Sequence, residues 1–295
     1  MNAALMAIRL AALTALHFIC YAGVSAALLP PLPEQTAQAG AALAALWAVS
    51  FLNTVVLAYV ILRSRWAGWK LILVTFFVLY GVMTVMPQVE TAYFVTSLPP
   101  GMLPRPFLAG AIISALFSPL AVLILGKRRP DPAQGESRPR LFMPAGEWVV
   151  KLSLVVIAYV VIYFTFGYFI AWQSAAVRAY YGGSDPGSFL AQMSTVVRET
   201  PSLLPLQAAR ALMWAAIAVP VIRMLKGRWW EAGLAVGLLF AVVMSSQLLL
   251  PNPLMPWEVR MAHLLETASS NFLFGWLLVL LLRGRRRPAS EPTRL

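Results

Sequence analysis

The chain alternates long apolar runs with short polar or proline-rich segments. A helix needs about 20 mostly apolar residues to cross a bilayer. Runs of about that length lie at 5–29, 41–62, 69–95, 104–125, 147–172, 204–225, 229–250 and 257–282. Prolines, arginines or lysines follow most of them, because these residues end a helix or a span. The pattern predicts an all-α, polytopic transmembrane bundle of about eight spans.

The first apolar run also has features of a signal peptide. Arg9 precedes its apolar core, and small residues at 24–26 could form a cleavage site. The run is longer than a signal-peptide core and fits the length of a span. We therefore interpret it as an uncleaved first helix.

The long segment at 173–203 contains a further periodic pattern. Ser184-Asp185-Pro186 is typical of a helix start, since proline is favoured in the first turn. Apolar residues then recur at helical spacing, at Phe189, Leu190, Met193, Val196 and Val197. The pattern predicts a short amphipathic helix at about 186–198 that lies on the outer membrane surface or caps the bundle. An ordinary surface loop is the alternative.

The positive charge is confined to alternate loops. The chain has a net charge of +12, is 60% hydrophobic and is only 12% charged, whereas soluble domains carry about 25% charged residues. Its basic clusters lie at 63–70, 127–140, 223–228 and 283–287. This arrangement is typical of cytoplasmic loops rather than of a nucleic-acid surface. It predicts a protein of the bacterial inner (cytoplasmic) membrane with both termini cytoplasmic.

The polar loop in mid-chain suggests a division into two parts. We predict an N-terminal four-helix half at 1–126, a cytoplasmic linker at 127–146, a C-terminal four-helix half at 147–283 and a basic tail at 284–295. With four spans in each half, any repeat would be parallel. The likeness of Glu90-Thr91-Ala92 to Glu266-Thr267-Ala268 is interpreted as coincidence, because the third and eighth spans run in opposite directions.

Polar residues within the predicted spans mark a candidate site in the outer half of the membrane. Ionisable groups at membrane depth are costly and by default mark functional positions. Glu90 lies several residues inward from the outer end of its span, and each residue adds about 1.5 Å of depth at the helical rise. The candidate residues for a ligand or proton site are Glu90, Gln207, Arg210, Arg260, His263, Glu266 and Asn271.

Their spacing supports a shared site. Arg260, His263 and Glu266 follow at intervals of three residues and share a helix face. The two glutamates need either a cationic partner or a proton. Arg210 has an alternative interpretation, because a long basic side chain near a span end can snorkel to the headgroups. A purely structural network that holds the helices in register is the alternative for the whole group.

The same residues give little support for a metal or another cofactor. His263 and Glu266 have a spacing that can hold a metal, but the chain has two histidines, one cysteine and no HExxH motif. We expect neither a metal nor a cofactor.

Part of the chain resembles a known sequence pattern. The segments are LQAARAL at 206–212, PNPLMPWEVR at 251–260 and HLLETASSNFLFG at 263–275. This pattern at 204–275 resembles that of uncharacterised bacterial multi-pass integral membrane proteins. The resemblance implies membrane location and no particular activity.

Three kinds of function fit these features. The first is a permease or binding protein for a small molecule or lipid, with a polar pocket open to the outer leaflet. The second is an assembly, sensor or structural protein, which predicts a saturated polar network without a cavity. The third is a membrane-embedded enzyme with His263, Glu266 and Glu90 as acid–base groups around a water-accessible cavity. The apolar inner half of the spans counts against ordinary transport. The expected partners are the lipid bilayer and, for the first kind of function, a small-molecule or lipid ligand, with no nucleic acid.

Overall fold

A computed structural model describes residues 2–29, 39–95, 101–129, 141, 143–183, 185, 187–252 and 254–283. Within these ranges, eight helices are long and apolar enough to cross a membrane. They are Ala3–Leu28, Gly40–Leu62, Gly68–Phe94, Pro104–Ile124, Ala145–Ala171, Leu203–Met224, Trp229–Leu249 and Trp257–Leu282. This confirms the all-α polytopic bundle. Most of the predicted linker and all of the predicted tail lie outside the described residues.

Three of the spans are not regular α-helices throughout. The third span has a π-helical turn at Gly81–Val85, the fifth ends in one at Gly167–Ala171, and the seventh contains one at Leu239–Val243. The seventh span then finishes as a 3₁₀ helix at Ser246–Leu249. Such changes of helix type often occur at functional sites, because they redirect side chains and free backbone groups.

The π turn in the third span has an identifiable cause in Pro87. Proline has no N–H, so it cannot donate to the carbonyl of Met83 four residues earlier, and its ring crowds that carbonyl. The side-chain amide of Gln247, on the seventh span, donates to the Met83 carbonyl instead. A residue of one span thereby completes the backbone hydrogen bonding of another.

The bundle is built from a few close helix pairs. The first span packs against the second and the fourth, and the third packs against the fourth. The fifth packs against the sixth and the eighth, and the seventh packs against the eighth. Large buried side chains fill the centre, among them Phe117, Trp214, Phe240 and Phe274. Gly275 touches the backbone of Gly237, where an added Cβ would lie 2.9 Å from the Gly237 Cα. This lets the seventh and eighth spans approach closely, as small residues do in membrane helices.

Backbone hydrogen bonds tie together one end of the bundle, which we call the basic end because its loops carry Arg63, Lys127 and Lys226. Ser64 and Leu225 form an antiparallel bridge between the loops that follow the second and sixth spans. The ammonium group of Lys127 donates to the Ser64 carbonyl at 2.7 Å. This end of the bundle is therefore held closed by main-chain contacts as well as by side chains.

Two short helices lie at the opposite end, in the segment between the fifth and sixth spans. The predicted helix is present at Phe189–Glu199, with Ser188 as its N-cap. It begins three residues later than expected, because the Ser188 hydroxyl accepts from the backbone N–H of Ala191. Ser184 and Pro186 lie outside the described residues. The other helix, Ala175–Tyr181, was not predicted from the sequence.

Candidate functional site

A small polar cavity lies in the half of the bundle away from the basic end. It is bounded by the third, fifth, sixth, seventh and eighth spans. Its lining residues are Glu90, Tyr159, Ile162, Tyr163, Arg210, Met244, Glu266, Thr267, Ser270 and Asn271. About 20 Å³ is open to the centres of water-sized molecules, which is room for one or two waters. Carboxylates, hydroxyls and an amide thus surround a space that is polar enough to be wet.

Glu90 and Arg210 form an ion pair on one side of this cavity. Their Oε1 and Nη1 atoms lie 2.5 Å apart. The same Nη1 atom donates to Oε1 of Gln207 at 2.8 Å. Gln207 precedes Arg210 by three residues and therefore lies on the same helix face. The pair links the third span to the sixth, and the amide of Gln207 fixes the orientation of the guanidinium.

Arg210 is turned into the bundle. It is only 1% exposed, so the snorkelling interpretation does not apply to it. Its Cζ atom lies 5.8 Å from the centroid of the Tyr159 ring, on the fifth span. An aromatic face and a carboxylate together compensate a buried guanidinium. The sequence pattern gave no sign of the contribution of Tyr159.

His263 and Glu266 form a second pair on the eighth span. Nδ1 of His263 lies 3.0 Å from Oε2 of Glu266. On its other side, Nε2 of His263 lies 3.3 Å from the hydroxyl of Tyr181, at the end of the short helix Ala175–Tyr181. Burial raises the pKa of the Tyr181 hydroxyl, so this group stays protonated and donates to Nε2 whenever His263 is neutral. A neutral His263 then carries its own proton on Nδ1 and donates it to Glu266.

The second pair differs from the first because it contains no permanent cation. Arg210 balances Glu90, whereas the ion-pair partner of Glu266 is His263. A carboxylate without compensation at membrane depth is unfavourable by several kcal/mol. The pair of His263 and Glu266 is neutral only as imidazolium with carboxylate or as imidazole with carboxylic acid. An imidazole and a carboxyl group therefore lie side by side next to the cavity.

Arg260 lies elsewhere, although it was expected to join this group. Its Nη1 atom donates to the carbonyls of Leu248 and Leu250. Its Cζ atom lies 5.3 Å from the centroid of the Trp257 ring. Those carbonyls belong to the end of the seventh span, where the last turn of a helix leaves acceptors unpaired. Arg260 therefore caps a neighbouring helix.

Asn271 and Thr267 connect the cavity to the seventh span. The amide of Asn271 donates to the sulfur of Met244 at 3.1 Å, and the hydroxyl of Thr267 donates to Ser245 at 3.0 Å. Asn271 was a candidate from the sequence. Tyr159, Tyr163 and Ser270 were not, because single aromatic or hydroxyl residues in an apolar run are common in spans without any site.

Neither the metal-ligating residues nor comparisons with known proteins assign a function to this site. Among the described residues, histidine, cysteine, aspartate and glutamate nowhere gather in groups of three or more that could hold a metal ion. Neither a family model, nor a curated protein, nor a solved structure matches the sequence. The eight apolar helices alone identify a multi-pass membrane protein.

Proposed function

We propose that this protein is a permease or binding protein of the bacterial inner membrane that takes a small polar molecule, or the polar headgroup of a lipid, from the outer leaflet. The observation that carries the proposal is the cavity that reaches Glu266. A purely structural network would fill this space and satisfy its polar groups within the protein. Instead, the ion pair of Glu90 and Arg210 and the carboxyl group of Glu266 face a gap between five spans.

The position of the cavity supports an outer-leaflet ligand. The basic loops lie at the opposite end of the bundle, and basic loops are retained on the cytoplasmic side. The basic end is closed by the bridge between Ser64 and Leu225. A ligand would therefore enter from the end that carries the two short helices.

The chemistry of the lining favours a ligand with both donor and acceptor groups. Arg210 offers a guanidinium to an anionic group, and Glu266 offers a carboxylate to an ammonium or hydroxyl group. The rings of Tyr159 and Tyr163 suit a cation or an apolar edge. Since the cavity has room for about two waters, a ligand of several atoms would enter only after the helices part.

A labelling experiment tests this proposal. Cys20, the single native cysteine, is replaced by alanine, and Ser270→Cys is introduced in the cavity wall. Ser269→Cys is the matched control, because Ser269 is the neighbouring serine on the same helix and does not line the cavity. The rate of labelling by a water-soluble methanethiosulfonate is measured without a probe, with glycine and with dihexanoyl phosphatidylethanolamine. Both probes are zwitterionic.

We expect Ser270→Cys to react faster than Ser269→Cys, and one of the probes to slow its labelling severalfold. That protection should disappear when Arg210→Gln is added. Equal rates at both positions, with no effect of either probe, would contradict an outer-leaflet site. Protection by glycine alone would indicate a small solute, and protection by the phospholipid alone would indicate a headgroup.

A further inference from the structure

The two sets of four spans pack in the same way. In the first set, span one contacts spans two and four, and span three contacts span four. In the second set, span five contacts spans six and eight, and span seven contacts span eight. The sets also exchange equivalent contacts, because span three packs on span six and span seven packs on span two. If spans one to four are exchanged with spans five to eight in order, each of these contacts becomes another one of them.

The backbone at the basic end repeats this exchange residue by residue. The N–H of Arg65 donates to the carbonyl of Met224, and the N–H of Lys226 donates to the carbonyl of Arg63. Positions 65 and 226 are 161 residues apart, and so are 63 and 224. The same shift carries Ser64 onto its bridge partner Leu225. Every antiparallel bridge has this reciprocal pair of bonds, so the bridge is not itself evidence of a repeat, but it gives the offset between the two loops.

The same shift also relates the spans that follow. It carries Gly68, the first residue of the third span, onto Trp229, the first residue of the seventh. It carries Trp69 onto Trp230, and both of these tryptophans are exposed large side chains. Each of the two spans then contains a π turn, at Gly81–Val85 and at Leu239–Val243. The resemblance thus extends from the loops into the irregular parts of the helices.

The polar clusters of the two sets also correspond. Tyr21 on the first span and Tyr163 on the fifth are 142 residues apart, as are His17 and Tyr159 one turn earlier. Tyr163 lines the cavity together with Glu90 from the third span. Tyr21 donates to Gln247 from the seventh span at 3.0 Å. Glu90 of the third span thus reaches into the second set, and Gln247 of the seventh span reaches into the first set.

The cluster around Gln247 and the cluster around Glu90 differ in charge and in how fully their polar groups are hydrogen-bonded. The amide of Gln247 is bonded at both ends, to the Tyr21 hydroxyl and to the Met83 carbonyl. The adjacent Ser246 donates to Asn53 at 2.9 Å. This neutral cluster joins the sets through uncharged hydrogen bonds between buried groups. The Glu90 cluster joins them through an ion pair that borders a cavity.

We propose that the chain is an internal duplication of a four-helix unit, and that its two units hinge at the contact between Ser64 and Leu225. The axis of the duplication runs along the membrane normal, because each unit has an even number of spans. The units part at the opposite end, where Glu90 and Arg210 meet, and the Gln247 cluster stays closed. The duplication stands by itself, whereas the role of the hinge in admitting a ligand rests on the proposed function.

The contacts at the two ends support this direction of motion. At the basic end, the units are joined by main-chain hydrogen bonds and by the bond from the Arg65 guanidinium to the Leu225 carbonyl. At the other end, side chains join them, through Glu90 with Arg210 and through the hydroxyls of Tyr93 and Ser202 at 2.7 Å. Exchanging side-chain partners requires less rearrangement than breaking backbone pairing.

Distances between spin labels test the hinge without any ligand. In the Cys20→Ala protein, the pair Ala92→Cys with Thr200→Cys reports on the end that carries Glu90. The pair Arg129→Cys with Arg223→Cys reports on the basic end. All four positions are exposed. Distance distributions are measured by double electron–electron resonance in nanodiscs, with and without Glu90→Gln.

Glu90→Gln should add a longer-distance population to the first pair and leave the second pair unchanged. Gln247→Leu, at the counterpart position, should add no such population. If Glu90→Gln fails to fold, Tyr93→Phe removes the other contact and should shift the first pair in the same direction. A shift of both pairs, or of neither, would overturn the hinge. Because no ligand is used, this result is independent of whether glycine or phospholipid protects Ser270→Cys.

Discussion

The carboxylate of Glu90 on the third span meets the guanidinium of Arg210 on the sixth at 2.5 Å. Arg210 is almost completely buried, whereas the side chain of Glu90 is 25% exposed. The pair therefore joins the two halves of the chain at the edge of the cavity. One member is fixed within the core, and the other can be reached from the gap between the spans.

Removing either member alone should destabilise the protein more than removing both. Arg210→Met leaves Glu90 without its partner, and breaking a buried pair costs about 3–5 kcal/mol. The double variant Glu90→Gln/Arg210→Met leaves no charge behind and should recover part of the loss. Thermal unfolding in detergent measures this difference. Arg105→Met, at an exposed position, should have little effect. If the loss in the double variant equals the sum of the losses in Glu90→Gln and Arg210→Met, the charges do not interact.

The sequence predicted the spans accurately because hydropathy and charge are both properties of local segments. The ends of the helices lie within two residues of the expected positions at all eight spans. The π turns were not predicted, although Pro87 in the third span was a usable signal for one of them. Helix type inside a span depends on which neighbour satisfies the freed carbonyl, here Gln247, and that partner is distant in sequence.

The sequence could reveal only those residues of the candidate site whose charge is unfavourable within a membrane. Glu90, Arg210 and Glu266 are conspicuous because charge in a membrane is unfavourable. Arg260 was equally conspicuous, but it satisfies helix-end carbonyls instead. Depth alone cannot separate these two roles, since both place a guanidinium near the end of a span. Tyr181 reaches His263 from a helix of seven residues, too short for periodicity to reveal.

The loop helix Phe189–Glu199 should lie at the membrane surface. Phe189 stacks on Phe169, the two ring centroids 5.9 Å apart, which anchors the helix to the fifth span. Leu190 and Val197 are 77% and 54% exposed, and the polar residues Thr195 and Arg198 are also exposed. Spin labels at 190 and 197 should therefore be accessible to oxygen dissolved in lipid.

Labels at 195 and 198 should be accessible to a water-soluble nickel reagent instead, and they serve as the control. The same accessibility at all four positions would contradict an interfacial helix. Such a result would place this segment wholly in water or wholly within lipid.

The orientation of the bundle can be checked independently of its fold. The basic loops predict that position 134 faces the cytoplasm and that position 184 faces the other side. Alkaline phosphatase and green fluorescent protein are fused at each position in turn. We expect fluorescence at 134 and phosphatase activity at 184. The reverse pattern would invert the topology, and the same reporter active at both positions would contradict a single span between them.

Glu266→Gln distinguishes a functional cluster from a structural one. The amide has nearly the shape of the carboxylate and still accepts a hydrogen bond from Nδ1 of His263, so folding should be retained. A neutral bond of this kind contributes about 1 kcal/mol, and we expect the melting temperature to fall by only a few degrees. The ionisable group is lost, however, because glutamine cannot exchange a proton. Probe-dependent protection of Ser270→Cys should therefore disappear.

Glu258→Gln is the matched control, since Glu258 lies on the same helix at an exposed position. It should change neither the melting temperature nor the protection. If Glu266→Gln instead melts far below the unmodified protein while the remaining folded fraction keeps its protection, the pair of His263 and Glu266 holds the helices together. In that case Glu266 has no part in ligand binding, and the site reduces to Glu90, Arg210, Tyr159 and Tyr163.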